Sequence, residues 1–186
     1  MSTANTTKVW NVDVAHSGVN FSVRHMVISK VRGKFAKFSG RLELDEKDLT
    51  RSTVEVHIDA SSIETGVGDR DNHLRSPDFL DVEKFPELTF KSQRIEKLAD
   101  DRYRVVGDLT IHGVTREVPL EVEAGGSTKD PWGNDRIGFQ ARTHIDRRDY
   151  GLVWNKAIDA GGVVVGDRID IEIEIEGVRV ADQRAA

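Results

Sequence analysis

The residues able to do chemistry gather first in "HSGVNFSVRHM", residues 16–26, where His16, Ser17, Arg24 and His25 surround a short apolar alternation. Two imidazoles invite a metal site, and a serine beside a histidine invites a nucleophile. The spacing speaks against both. Nine residues apart, His16 and His25 would point to opposite faces of a continuous strand, and Ser17-Gly18 reads as a turn between them. No HExxH spacing occurs anywhere, no GxSxG elbow is present, and "HSG" lacks a strand–turn–helix setting. The most acidic stretch, "DRIDIEIEIEG", sets its carboxylates in a row, whereas glycoside hydrolysis needs two acids facing each other across a cleft. "GVGDRD" and "AGGVVVGD" match neither common phosphate-binding loop. We therefore assign no catalytic residues and no metal ligands. His25, which shares parity with Phe21 and Val23, reads as a hydrogen-bonded histidine at the rim of a wall, and His57 and His144 read as outward-facing.

The elements that must carry these residues are strands. Ile169, Ile171, Ile173 and Ile175 share one face, and Asp170, Glu172, Glu174 and Glu176 share the other. The same period of two runs through Val19–Val23, Leu42–Leu44, Val54–Ile58, Leu88–Phe90, Tyr103–Val105, Val118–Val122 and Ile137–Ala141, about eight strands in all. Turn chemistry separates them at "DEKD" (45–48), "ADDR" (99–102), "HGVT" (112–115) and "GGSTKDPWGND" (125–135). Short links imply antiparallel neighbours, and closing the sheet removes its edges. The expected fold is all-β: a single antiparallel barrel over 1–186, ordered over about 8–180. A barrel of about eight strands is just wide enough to be filled by side chains or to hold one small ligand. Residues 67–88 do not alternate. They read as a helical crossover or lid, with Asp69 or Asp71 as cap and an end before Pro77. Between Pro77 and Pro86, Phe79, Leu80 and Phe85 could close one barrel end. Arg147, where charges break the alternation before Tyr150, should fix a strand corner by bonding a carboxylate or backbone carbonyls.

Composition excludes several partners. A net charge of -5 gives no footprint for nucleic acid, which is bound largely through Lys and Arg. Without cysteine there are no disulfides and no thiolate chemistry. No stretch approaches the roughly 20 apolar residues of a transmembrane helix, and "MSTANTTKVW" has no apolar leader core, so a cytoplasmic location is expected.

Taken in order, "WNVDVAHSGVNFSVRH", "VRGKFAKFSG", "RDNHLRSPDFLDVEKFPELTFKS", "VVGDLTIHGVTREVPLEV", "DRRDYGLVWN" and "GGVVVGDRIDIEIEIEG" resemble the YceI-like family of polyisoprenoid-binding proteins almost end to end. That resemblance implies a lipocalin-like barrel that takes up a long isoprenoid-type chain, such as a quinone tail, or another long lipid, without established catalytic residues. Many relatives carry an export leader, which this chain does not show. The apolar interior is then expected to bind lipid through Phe21, Val23, His25, Phe35, Phe38, Leu42, Phe79, Leu80, Phe85, Phe90, Leu109, Phe139, Ile145 and Trp154. No cofactor other than a bound polyisoprenoid or similar long-chain lipid is expected. Among partners, transient membrane contact and a homodimer stay open. A barrel filled by its own side chains, serving a stress-related protein interaction, is the competing reading, and an enzyme ranks below both.

Overall fold

The period-two stretches become antiparallel ladders throughout. In the computed structural model, which describes residues 7–159 and 161–181, the strands are β1 (Thr7–Val12), β2 (Gly18–His25), β3 (Ser29–Phe35), β4 (Phe38–Asp45), β5 (Thr53–Asp59), β6 (Ile63–Glu64), β7 (Glu87–Lys97), β8 (Arg102–Ile111), β9 (Val114–Lys129), β10 (Asp135–Asp146) and β11 (Val165–Arg179). One helix, α1 (Gly68–Arg75), interrupts them. The first six residues of the polar start of the chain lie outside the described residues.

Eight strands close a ring in the order β1-β4-β5-β7-β8-β9-β10-β11, shut by pairing of β1 with β11. The expected closed antiparallel barrel of about eight strands is thus present. Its membership differs from the eight stretches that alternate most clearly. β1 takes a place in the ring, while β2 continues along β11 past the end of β1 and carries β3 and β6 outward as a flap. A 3-10 turn at Val14–His16 joins β1 to β2, and the Asp13 carboxylate accepts from the Ala15 N–H at 3.1 Å to cap it. Asp13 also faces His16 Nδ1 at 3.0 Å, so His16 belongs to this turn.

Two turn expectations were refined. His112 and Gly113 sit at φ 53° and 73°, the mirror-image geometry that suits a two-residue hairpin between β8 and β9. The segment "GGSTKDPWGND" is not all loop: β9 runs to Lys129, and the register slips between Gly138 and Phe139, so Gly125–Gly126 form a bulge inside a strand. Only residues 130–134 link β9 to β10.

α1 forms and stops before Pro77 as the sequence suggests, but neither aspartate caps it. Val67 occupies the cap position without a side-chain bond. Asp71 is buried and accepts instead from the Thr65 N–H at 2.8 Å and from the Thr65 hydroxyl, tying the helix to the chain that precedes it. Arg75 reaches back to the carbonyls of Ser61 (2.7 Å) and Ile63 (2.8 Å), which pins α1 against β6.

Candidate functional site

The pleat turns one side chain of each pair inward, so the ring encloses a single apolar space of about 270 Å3. Ile169, Ile171, Ile173 and Ile175 supply one wall, as their parity requires. Phe21, Val23, Phe35, Leu42, Phe79, Leu80, Phe90, Leu109, Phe139 and Ile145, all named from sequence, also line it. Their burial ranges from Leu42 at 4% exposure to half-buried rings that reach the cavity. Phe21 lies 5.8 Å from Phe35 and directly over Gly33: a Cβ built there would fall 2.3 Å from the Phe21 ring. Glycine in β3 is what lets that ring lie flat along the wall.

Four expected residues are elsewhere. His25 lies one rung beyond Val23, where β11 slips by two residues between Ile169 and Val165; the strand is carried away and the ring stays half-buried outside the cavity. The hydrogen bond expected for it is also missing, since its Nδ1 is buried without a partner among the described residues. Phe38 opens β4 and packs on the main core cluster rather than facing the cavity. Phe85 follows a turn in which Asp81 adopts φ 47° and its carbonyl accepts from the Phe85 N–H; the half-buried ring stands edge-on to His112 at 4.7 Å and is not part of the cavity lining. Trp154 sits behind the wall, 5.3 Å from Phe79 and 4.7 Å from His73, so it backs the lid instead of touching the space beneath it.

Three polar members of the wall, Ser52, Thr143 and Arg147, are already engaged. The Ser52 hydroxyl accepts from the Asp45 N–H at 3.0 Å, and Thr143 donates to the Pro119 carbonyl at 2.7 Å. Arg147, only 3% exposed, donates to the carbonyls of Leu152 (2.6 Å), Trp154 (2.9 Å), Gly166 (2.9 Å) and Val165 (3.4 Å) and to Asp167 at 3.3 Å. The slip of β11 falls between Val165 and Ile169, so at Gly166 the guanidinium fork replaces part of a broken ladder, while the Val165 carbonyl also accepts from the Asn155 side-chain amide at 2.7 Å. Burial pushes Arg147 below the usual arginine value, with Asp167 opposing. Nearby, Tyr150 is 1% exposed, its buried hydroxyl has no partner among the described residues, and burial pushes it up to about 12. The sequence marked Arg147 as a corner residue; that its stem also reaches the cavity was not legible.

A cation site receives little support. Among the described residues, Asp13, His16 and Glu176 form the one group whose donor atoms lie close enough for a metal. The Arg136 guanidinium already stands in their midst, 2.8 Å from Glu176 and bonded to Asp13. His57 and His144 point outward as expected, His57 between Glu55 and Glu87, which raise its pKa against the effect of burial.

Comparison with known proteins decides the relationship. A family described as YceI-like domain matches residues 10–177. The chain belongs to the YceI-like family. A UPF0312 protein of Vibrio parahaemolyticus is 38% identical over 167 residues, covering 89% of this chain and 83% of that one. The crystal structure of the YCEI protein of Campylobacter jejuni superposes with a TM-score of 0.74 at 31% identity, over 85% of this chain and 90% of that one. A polyisoprenoid binding domain from Saccharophagus degradans shares the fold, with a TM-score of 0.66 at 16% identity, over 92% and 98% of the two chains. No helix of the described residues is long and apolar enough to cross a membrane.

Proposed function

We propose that this YceI-like protein binds and carries a long-chain isoprenoid or quinone-type lipid without transforming it. One observation carries the reading: the cavity wall is almost wholly aliphatic and aromatic, and Ser52, Thr143 and Arg147 in it spend their hydrogen bonds on the protein itself. Such a wall offers contact area rather than polar recognition, worth about 25 cal/mol per Å2 buried. The name of the Saccharophagus neighbour supports the same ligand class. Among the described residues no histidine lines the cavity. At about 270 Å3 the space exceeds the roughly 150 Å3 of an apolar cavity that holds benzene and lies near the lower edge of ligand pockets. A long chain then keeps its head group outside or moves wall rings such as Phe21 and Phe79.

The test is an organic extract of the purified protein, read by mass spectrometry, with two tryptophan variants as controls. A long-chain lipid near equal stoichiometry supports carriage. Phe139→Trp enlarges a wall ring and should weaken lipid binding with the fold intact, whereas Gln140→Trp, on the exposed face of β10, should do nothing. If the extract is empty, added lipid does not bind, and Phe139→Trp costs roughly 1 to 3 kcal/mol of stability, the barrel is a filled core and the carrier reading fails.

A further inference from the structure

Charge is not spread evenly over this acidic chain. Residues 14–42 hold six of its 27 Lys and Arg and none of its 32 Asp and Glu. The structure collects four of these cations on the flap. In the β2–β3 ladder Arg24 stands opposite Lys30 and Ser22 opposite Arg32, with Lys34 beyond, so Arg24, Lys30, Arg32 and Lys34 share one face, and all four are exposed. The other face carries Phe21, Val23 and Phe35 into the cavity wall. Lys30 and Lys34 meet acids only at 3.6 Å, across exposed geometry, while Arg24 donates to the Val27 carbonyl of the flap's own tip.

That tip is apolar and bare. Met26, Val27 and Ile28 are 41%, 60% and 84% exposed. Met26 and Val27 hold φ 50° and 66°, the left-handed region that glycine or asparagine would occupy with less strain, least suited of all to a β-branched side chain. The turn therefore presents three large apolar groups to solvent in a conformation its residue types disfavour. It is also joined to the cavity: the Met26 N–H donates to the Val164 carbonyl at 3.0 Å, and Val165, opposite His25, lines the wall.

We propose that the β2–β3 flap docks the protein on an anionic lipid surface, the tip entering the head-group layer while the basic face lies against the phosphates. An exposed apolar tip backed by Lys and Arg is the composition that binds such an interface, the apolar part by burial and the basic part by attraction to negative head groups. The complementarity is specific to the flap, because the neighbouring strand β11 turns Glu172 and Glu174 outward and would be repelled. The proposal concerns the outer surface and holds whatever the cavity carries.

The experiment is co-sedimentation of the full chain with vesicles of phosphatidylcholine alone or mixed with phosphatidylglycerol. Binding is expected to the anionic vesicles only, and to weaken with added salt. Arg32→Ser should lower the affinity about fivefold and Ile28→Ser roughly tenfold, both with unchanged thermal unfolding. Trp132→Ser is the control: this side chain is 82% exposed at the β9–β10 turn, next to the β1 end of β11 and far from the flap. Equal binding to neutral vesicles, no binding to either, or loss in Trp132→Ser rather than Ile28→Ser overturns the proposal. Self-association without vesicles that Ile28→Ser abolishes also overturns it, and makes the tip a contact between copies. A cavity that takes up no lipid at all, with vesicle binding intact, would sink the carrier reading alone.

Discussion

Two arginines at the two ends of β10 hold the barrel by opposite chemistry. Arg136, at the β1 end, bonds three carboxylates: Asp130 at 2.9 Å, Glu176 at 2.8 Å and Asp13. Arg147, beyond the other end, bonds four carbonyls and a single carboxylate. The first end is regular ladder, where β1, β10 and β11 continue in register and the arginine merely ties loops together. The second is where β11 slips and the chain leaves the sheet, so the arginine stands in for missing strand bonds. The same fork is a surface clamp in one place and a piece of backbone structure in the other, and the difference is set by what the ladder leaves unpaired.

The largest effect should come from Arg147→Met. It strands several buried carbonyls, each costing about 1 to 3 kcal/mol when left unpaired, so a loss of at least about 3 kcal/mol is expected in denaturant unfolding. Arg147→Lys keeps the charge and loses the fork, and should fall between. A variant that kept full stability but lost lipid binding would move Arg147 from scaffold to head-group site. Next is Phe79→Ala at the same end. Its ring is 6% exposed and packs on Trp154 and His73, so the variant should lose about 3 kcal/mol and release a bound lipid faster. Unchanged release would remove this segment from the lid.

At the other end Arg136→Met should cost less, because its partners remain partly solvated. Its sharper signature is in acid. Burial alone would raise Asp130, but hydrogen bonds from Asn134 and Arg136 outweigh it and hold the carboxyl down to about 2; Asp13 is likewise lowered, by His16 and then Arg136. Both bind a proton less readily in the folded chain than at the ordinary 3.8, so their stabilisation is complete above that value and is lost as pH falls from 3.8 toward about 2. Arg136→Met should flatten this loss. Arg147→Met should leave it, since the remaining acid dependence at that end comes from Asp146, held down to about 2 chiefly by Arg148. An equal change of slope in both variants would erase the contrast.

The contrast also marks how far sequence could be read. Parity is local, so every stretch where apolar residues alternate became a strand, and the inward isoleucines of β11 needed nothing else. β3 escaped because its pattern is broken at Gly33, where the apolar group is supplied by Phe21 from the neighbouring strand. β1 escaped because Lys8 interrupts a six-residue run. Arg147 was legible as a corner residue, since its donors must find acceptors, but those acceptors depend on the slip of β11, which no periodicity announces. His25, Phe38, Phe85 and Trp154 were placed in the wall by residue type or parity; strand ends and left-handed turns decided otherwise.

The central claim is that the cavity recognises the length of an apolar chain and not its head. Titration of lipid-free protein with isoprenoid alcohols of increasing length, at one constant head group, tests it most directly. Each additional buried methylene should strengthen binding by about 0.8 kcal/mol, roughly fourfold, until the space is filled and the affinity levels off. Equal affinity for the shortest and the longest member of the series would contradict the account.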